Sequence, residues 1–217
     1  MRVLVIDTSS AAITAGVVEF EAGQADRLLA QHVEVNGKAH GELLAPSVAA
    51  ALAEAGLRPT QLEAVVAGTG PGPFTGLRVG LVTASSMADA LSIPAYGVCS
   101  LDGIGAAQAG EESLLVVTDA RRKEVYWAAY RYGTRFLGPA VARPEELPAD
   151  LVVAAVTGAA AELYPDQLGR PVRSGRYPQV LALAGLARER ALARAATEVL
   201  VPRYLRRPDA VPPKSLR

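Results

Sequence analysis

The chain opens on a short apolar run without helical period, Arg2 to Asp7, which ends at an aspartate followed by Thr8, Ser9 and Ser10. Such a run predicts a buried strand feeding a polar turn. Alternating stretches from Ile13 to Phe20 and from Leu28 to Val35, separated by the turn material Glu21 to Gln24, extend it into a three-strand meander. The period then changes. Glu42 to Ala55 reads as a helix stopped by Gly56, Glu63 to Ala67 as a strand, and Leu77 to Leu91 as a second helix ending before Pro94. A strand at Ala95 to Val98 leads into a helix from Leu101 to Ala109, with Ser100 as its N-cap.

At Leu114 the opening pattern recurs. LLVVTDARRKEVYWAAYRYG, from Leu114 to Gly133, is again apolar strand, aspartate, polar turn and alternating strand, so Asp7 and Asp119 hold matching places. The second unit continues with a predicted strand at Leu151 to Val156, a short helix at Ala159 to Tyr164 and a helix at Val180 to Ala196, and it is shorter and less regular than the first. Strands followed by helices in two similar halves predict a duplicated α/β architecture, divided into residues 1–110 and 111–217.

Half of the 217 residues are hydrophobic but only 5% are aromatic, so the core must be built mainly from Ala, Val and Leu. That apolar content argues against disorder as the dominant state. The longest uncharged stretch, Ala64 to Leu77, has 14 residues and is broken by glycines and prolines, against about 20 for a spanning helix. With Asp7 inside what would be the apolar core of a signal and no small-residue cleavage site after it, no secretory signal is expected, and the reading is a cytoplasmic chain with no membrane segment. One cysteine, Cys99, excludes an internal disulfide and any multi-thiolate metal site.

Charge is balanced overall, 22 basic against 22 acidic residues, but unevenly placed: residues 170–217 hold 11 basic and 3 acidic residues. A basic tail attracts nucleic acid or an acidic partner surface. The plainer reading is a set of solvated arginines in a chain that uses 19 Arg and 3 Lys.

An aspartate at a strand end before a Thr/Ser turn can hold a metal-bound water or shape a phosphate-binding loop, and it can equally cap its own backbone. Asp7, Thr8 and Asp119 are thus candidate phosphate-facing residues, with both readings open. In GTGPGPFTGLRVG, Gly68 to Gly80, the glycines Gly70, Gly72 and Gly76 allow close backbone approach, and Thr75 and Arg78 complete the loop. It lacks the lysine of a Walker loop and the spacing of a dinucleotide fingerprint. The loop either lines a nucleotide or partner surface or makes a tight structural crossover. Cys99 reads as a buried structural thiol, and the only histidines, His32 and His40, as surface or capping residues.

Two helices point toward a partner. Glu42 to Ala55 and Leu77 to Leu91 carry charge only near their ends, and a helix with an apolar or small middle all round is buried on more than one side. The second side is either intrachain core or an association surface. The candidate partner-binding residues are Leu44, Val48, Leu77, Gly80, Leu81, Ala84, Ser85 and Ala88.

IDTSS at the start, Lys38 with His40 and the following LLAP, GPGPFTGLRVG, GVCSLD, TDARRKEVYWAAY and the closing PRYLR resemble the TsaB family in order and spacing, over essentially the whole chain. The resemblance implies the duplicated actin-like ATPase fold shared by actin, Hsp70, sugar kinases and ribonuclease H-like proteins, here with a reduced second half. It also implies a non-catalytic partner of the paralogous transferase TsaD, with the ATPase TsaE as third component, in the machinery that makes threonylcarbamoyladenosine beside the tRNA anticodon. A homodimer in isolation, a heterodimer with TsaD, and tRNA contact through the complex follow from the same resemblance. The catalytic relative carries a metal-binding HxxxH after the strand that follows its glycine loop. Here those two positions fall on Ser100 and Ile104, so no metal site is expected. The adenine side of an actin-like cleft is read from a glycine pair, and VTGAAAELY offers Gly158 alone. No nucleotide is therefore expected on the isolated chain, with ATP or ADP left for a shared interface in the complex. The alternatives are a free-standing actin-like ATPase or kinase using Asp7 and Asp119, and a glycoprotease-type metallopeptidase, which the missing HxxxH disfavours.

Overall fold

The computed structural model describes residues 1–206. Its elements are β1 (Arg2–Asp7), β2 (Ala12–Glu19), β3 (Arg27–Val35), α1 (His40–Glu54), β4 (Ala64–Gly68), α2 (Phe74–Leu91), β5 (Ala95–Val98), α3 (Ser100–Ala106), β6 (Leu114–Asp119), β7 (Val125–Arg131), β8 (Thr134–Ala142), β9 (Ala155–Thr157), α4 (Pro165–Leu168) and α5 (Val180–Leu192). The first sheet has the order β3-β2-β1-β4-β5 and the second β8-β7-β6-β9. In each, a meander of three antiparallel strands is followed by a strand parallel to the first. The duplication read from the sequence is thus present at the level of topology, with a smaller second half.

β1 is apolar from Val3 to Ile6 because both faces of its sheet are covered. On one face Leu4, Ile6, Ile13, Val17 and Val65 pack against Leu44, Val48 and Leu52 of α1 and Leu77, Leu81 and Ala84 of α2. On the other, Val3, Val5, Val18, Phe20 and Val66 pack against Val180, Leu183, Ala184 and Ala187 of α5. The division at residues 110/111 accordingly separates the two sheets but not their packing, since α5, from the far end of the chain, completes the first core. A further cluster joins the halves, with Cys99, Leu101 and Ile104 beneath Leu114, Val116, Tyr126 and Tyr130.

Several expected elements are corrected. α1 begins at His40 and α2 at Phe74, earlier than predicted, and α5 stops at Leu192 rather than continuing to Ala196. The predicted strand at Leu151 to Val156 shrinks to Ala155–Thr157, and Ala159 to Tyr164 forms turns, the short helix lying at Pro165–Leu168. Gly158 explains this: at φ 100° it lies so close to β6 that a Cβ would sit 2.1 Å from the Val117 carbonyl oxygen, and the Ala160 N–H then donates to that same oxygen. The chain is bent across the end of β6, so the alanines that follow cannot extend a helix. β8 was not expected at all. It is a sheet edge containing Gly138 and Pro139, a composition that reads as loop unless pairing with β7 is known. Among the described residues no helix is long and apolar enough to cross a membrane.

Candidate functional site at the strand ends

The carboxyl ends of β1, β4, β5 and β6 are the usual place for a ligand crevice in such sheets. Here the first three converge on Asp7. Its Oδ1 accepts hydrogen bonds from the Ser9 N–H at 2.9 Å and the Ser9 hydroxyl at 2.7 Å, and its Oδ2 accepts one from the Ser100 hydroxyl at 2.5 Å. The Ser100 oxygen in turn accepts the Gly70 N–H at 3.0 Å. Ser100 is therefore a first-turn helix residue tying three strand ends together, and Cys99, not Ser100, holds the N-cap position without a side-chain cap bond. Burial raises the Asp7 carboxyl above its ordinary value, while the bonds from Ser100 and Ser9 and the neighbouring His40 pull it down. Thr8 is also sealed in: its hydroxyl donates to the Gly76 carbonyl at 2.7 Å and accepts the Gly80 N–H at 3.0 Å. At 1% exposure each, Asp7 and Thr8 turn their polar atoms inward, toward the protein's own groups.

The glycine loop packs onto that same turn. A Cβ at Gly72 would sit 2.1 Å from the Ser9 carbonyl oxygen, and one at Gly76 would sit 2.9 Å from the Thr8 oxygen. Gly70, at φ 87°, closes against Leu77. The glycines are thus consumed by a close internal crossover, whereas Thr75 and Arg78 remain exposed.

Asp119 occupies the matching place in the second half and makes the same local turn bond, but it differs in burial and, among the described residues, in lacking a counterpart of the Ser100 bond. It is exposed, and its Oδ1 accepts the Arg121 N–H at 2.9 Å, which is the turn-capping role. Ile104, at 1% exposure, belongs to the cluster between the halves. His32 and His40 are not brought together: His32 pairs with Glu54 at 3.0 Å on the surface, and His40 is buried with Nε2 at 2.8 Å from the Ser10 carbonyl. No three His, Cys, Asp or Glu residues cluster as metal ligands among the described residues. Burial foremost, with the charge of Asp102, pushes the Cys99 thiol up to about 11.

The expected partner-binding set requires correction. Leu44, Val48, Leu77, Gly80, Leu81, Ala84 and Ala88 are all buried inside the chain's own first core, and only Ser85 is partly exposed. The small residues of α2 serve the β1–β2 turn: a Cβ at Gly80 would lie 2.3 Å from the Thr8 hydroxyl. The outward side of α2 is Arg78, Val82, Ser85, Ser86 and Asp89, which with Leu200, Pro202 and Tyr204 line a groove of about 390 Å³. The outward side of α1 is Glu42, Ala45, Pro46, Ala49, Ala53 and Glu54, so that charge lies only at its two ends.

From the sequence, PRYLR carries only the resemblance and its arginines count only as part of a basic tail, which places no contact on the last described segment, 197–206. It lies along the edge of β5 and over the strand ends: the Glu198 N–H donates to the Ala95 carbonyl, its carboxylate accepts the Gly97 N–H, and the Arg203 N–H donates to the Thr69 carbonyl. Tyr204 stacks on Phe74 with ring centroids 4.1 Å apart. The alternation of cation and aromatic in Arg203, Tyr204 and Arg206 was the available signal.

A family model described as TsaD, tRNA N6-adenosine threonylcarbamoyltransferase, matches residues 30–150. An uncharacterised protein of Mycobacterium leprae is 48% identical over 97% of this chain, which spans 56% of that protein's length. An uncharacterised protein of Mycobacterium tuberculosis is 46% identical over 97% of this chain and 94% of its own. The tRNA threonylcarbamoyladenosine biosynthesis protein TsaB of Bacillus subtilis is 31% identical over 69% of this chain and 64% of its own length. Among solved structures, YeaZ from Pseudomonas aeruginosa superimposes with a TM-score of 0.77 at 28% identity, covering 94% of this chain and 99% of that one. With its duplicated, actin-like pair of sheets, the chain belongs to the TsaB–TsaD family and is TsaB-like within it.

Proposed function

We propose that this chain is a non-catalytic component of the machinery that makes tRNA threonylcarbamoyladenosine, pairing with a TsaD-type transferase and working beside a TsaE-type ATPase. Involvement in that biosynthesis is supported by the names of its relatives. The observation that carries the non-catalytic part is the state of the strand ends. Transfer of an acyl group to an adenosine amine calls for a base or metal beside the reacting atoms. In this chain Asp7 has both oxygens engaged by Ser9 and Ser100, and the resemblance implies that Ser100 and Ile104 stand at the positions of the transferase type's histidines. What the chain offers outward is surface: the outer side of α1, charged only at its ends, and the groove along α2. In this reading the same surface pairs two copies when the transferase is absent, nucleotide binds only where two chains meet, tRNA is engaged through the complex, and the work is done in the cytoplasm.

The test is an assay of modified adenosine by mass spectrometry, with this chain, TsaD, TsaE, ATP and the separately made threonylcarbamoyl donor, each omitted in turn. The expected result is no product from this chain alone and strong dependence on it in the mixture. Full product without it, or substantial product from it by itself, overturns the reading.

A further inference from the structure

A row of cations crosses from one half of the molecule to the other along the segment that ends the described chain. Arg78 of α2 donates from Nε to the Tyr204 hydroxyl at 2.7 Å, and its guanidinium lies 5.4 and 5.5 Å from the ring centroids of Phe74 and Tyr204. Arg203, next to Tyr204, is exposed and fixed through its backbone to Thr69. Two residues after Tyr204, Arg206 donates from Nη1 to the Ala120 carbonyl at 2.6 Å and lies 3.3 Å from the Glu124 carboxylate. Ala120 leads directly into Arg121, Arg122 and Lys123, all exposed on the β6–β7 turn. Six cations thus share a strip beside which Asp89, Asp119 and Glu124 are the acids, in a chain whose formal net charge is zero.

The turn itself is unusual. Arg121, Arg122 and Lys123 have φ of 64°, 50° and 65°, three successive residues in the left-handed region that glycine and asparagine occupy with least strain. The conformation is held rather than loose: Asp119 caps the Arg121 N–H, the Ala120 N–H donates to the Glu124 carbonyl, the Glu124 N–H donates to the Arg121 carbonyl, and Arg206 pins Ala120. Strain kept at an exposed position by surrounding bonds is a pointer to function. Three long cationic side chains stand where glycine would fit better, and glycine would bring none of their charge.

Guanidinium forks match phosphate oxygens two at a time, and a row of cations along successive phosphates is how a protein holds a nucleic-acid backbone. The half-buried Phe74–Tyr204 pair adds aromatic surface of the kind against which unstacked RNA bases rest. We infer that this strip, from Arg78 through Arg203 and Arg206 to the Arg121–Arg122–Lys123 turn, binds the phosphate backbone of RNA. That the RNA is the tRNA being modified rests on the function proposed above; the phosphate recognition does not.

The test uses the full chain and a fluorescein-labelled 17-nucleotide RNA stem-loop, with binding followed by fluorescence anisotropy between 50 and 200 mM KCl. The triple variant Arg121→Gln, Arg122→Gln, Lys123→Gln is expected to weaken binding at least about tenfold and to lower the slope of log K against log salt by about 2, at about 0.7 per phosphate contact. A control triple variant at exposed arginines outside the strip, Arg27→Gln, Arg58→Gln and Arg176→Gln, is expected to stay within about twofold of the parent. A second variant, Arg122→Asn with Lys123→Gly, relieves the left-handed strain, so it should melt higher than the parent and still bind RNA more weakly, which loss of fold cannot mimic. Equal losses in both triples, an unchanged salt slope, no binding by the parent, or competition by polyglutamate as effective as unlabelled RNA would each overturn the inference, the last by assigning the strip to an acidic protein. The component-omission assay separates the two claims: product dependence with an unaffected triple variant removes only the RNA site, whereas RNA binding without product dependence removes only the proposed function.

Discussion

Replacing Ser100 with alanine removes one hydroxyl and leaves two buried groups short of a partner. Asp7 Oδ2 loses the donor at 2.5 Å, and the Gly70 N–H loses the acceptor at 3.0 Å. A buried polar group stripped of its partner costs about 1–3 kcal/mol, more if charged, so the pair should cost roughly 3–5 kcal/mol. For a chain of this size each kcal/mol moves the melting temperature by about 2–4 °C, giving a fall of roughly 6–20 °C. The loss should also depend on pH. Burial already holds the folded Asp7 carboxyl above its ordinary 3.8, and the Ser100 bond is among the influences that lower it. Between the unfolded and the folded value the unfolded state has released the proton while the folded state keeps it, so stability falls as pH rises through that window. Without Ser100 the folded value climbs further and the window widens upward, so the penalty of Ser100→Ala should be larger at pH 7 than at pH 4.5. Urea unfolding of parent and variant at both pH values, followed by circular dichroism and by the fluorescence of the single tryptophan Trp127, measures it. A loss below about 1 kcal/mol, or one equal at the two pH values, would refute the description of Ser100 as the clasp on a buried carboxylate.

Two further outcomes follow from burial. Ala84→Glu should fail to fold, because Ala84 is fully buried on the sheet-facing side of α2 and an unpaired charge there costs several kcal/mol, whereas Val82→Glu, 64% exposed beside the groove, should keep its melting temperature and weaken pairing with a second copy or with TsaD. Sedimentation velocity and thermal melts distinguish them, and a folded but unpaired Ala84→Glu would show that α2 faces the other way. Cys99 should stay unmodified by a disulfide reagent in the native protein at pH 8, since a thiol near 11 is ionised there to roughly one part in a thousand and lies under α3. Its labelling should keep pace with unfolding measured separately; prompt labelling would contradict its burial.

The strands with two covered faces were readable from the chain because their apolar runs are continuous: β1, β4 and β6 are found where Arg2 to Asp7, Glu63 to Ala67 and Leu114 onward predict them. The strand that depended on a distant neighbour was not. Thr134–Ala142 becomes β8 through its bonds to β7, which outweigh the glycine and proline within it. The apolar all-round middles of α1 and α2 suggest cover on more than one side, but periodicity does not say which surface provides it, and within this chain Ala45, Ala49, Ala53 and Val82 stay exposed. Gly76 and Gly80 face Thr8, and Leu44 and Val48 face the sheet, so residues assigned to a partner are core. The matched aspartates were legible as a repeat, while their different fates depended on Ser100, distant in sequence from Asp7 and brought beside it only by the folded strands.

The return of α5 to the first sheet bears on how the protein is made. Val3, Val5, Val18, Phe20 and Val66 belong to strands that leave the ribosome early, yet their covering residues Val180, Leu183, Ala184 and Ala187 are translated only after the whole second half has appeared. A nascent chain halted anywhere between β5 and α5 therefore presents a broad apolar sheet face with its own cover still unsynthesised, the kind of surface that recruits chaperones or aggregates. Completion of the first core thus waits for the second half to be made, and fragments ending near residue 110 should be recovered from cells chiefly bound to chaperones or in inclusion bodies.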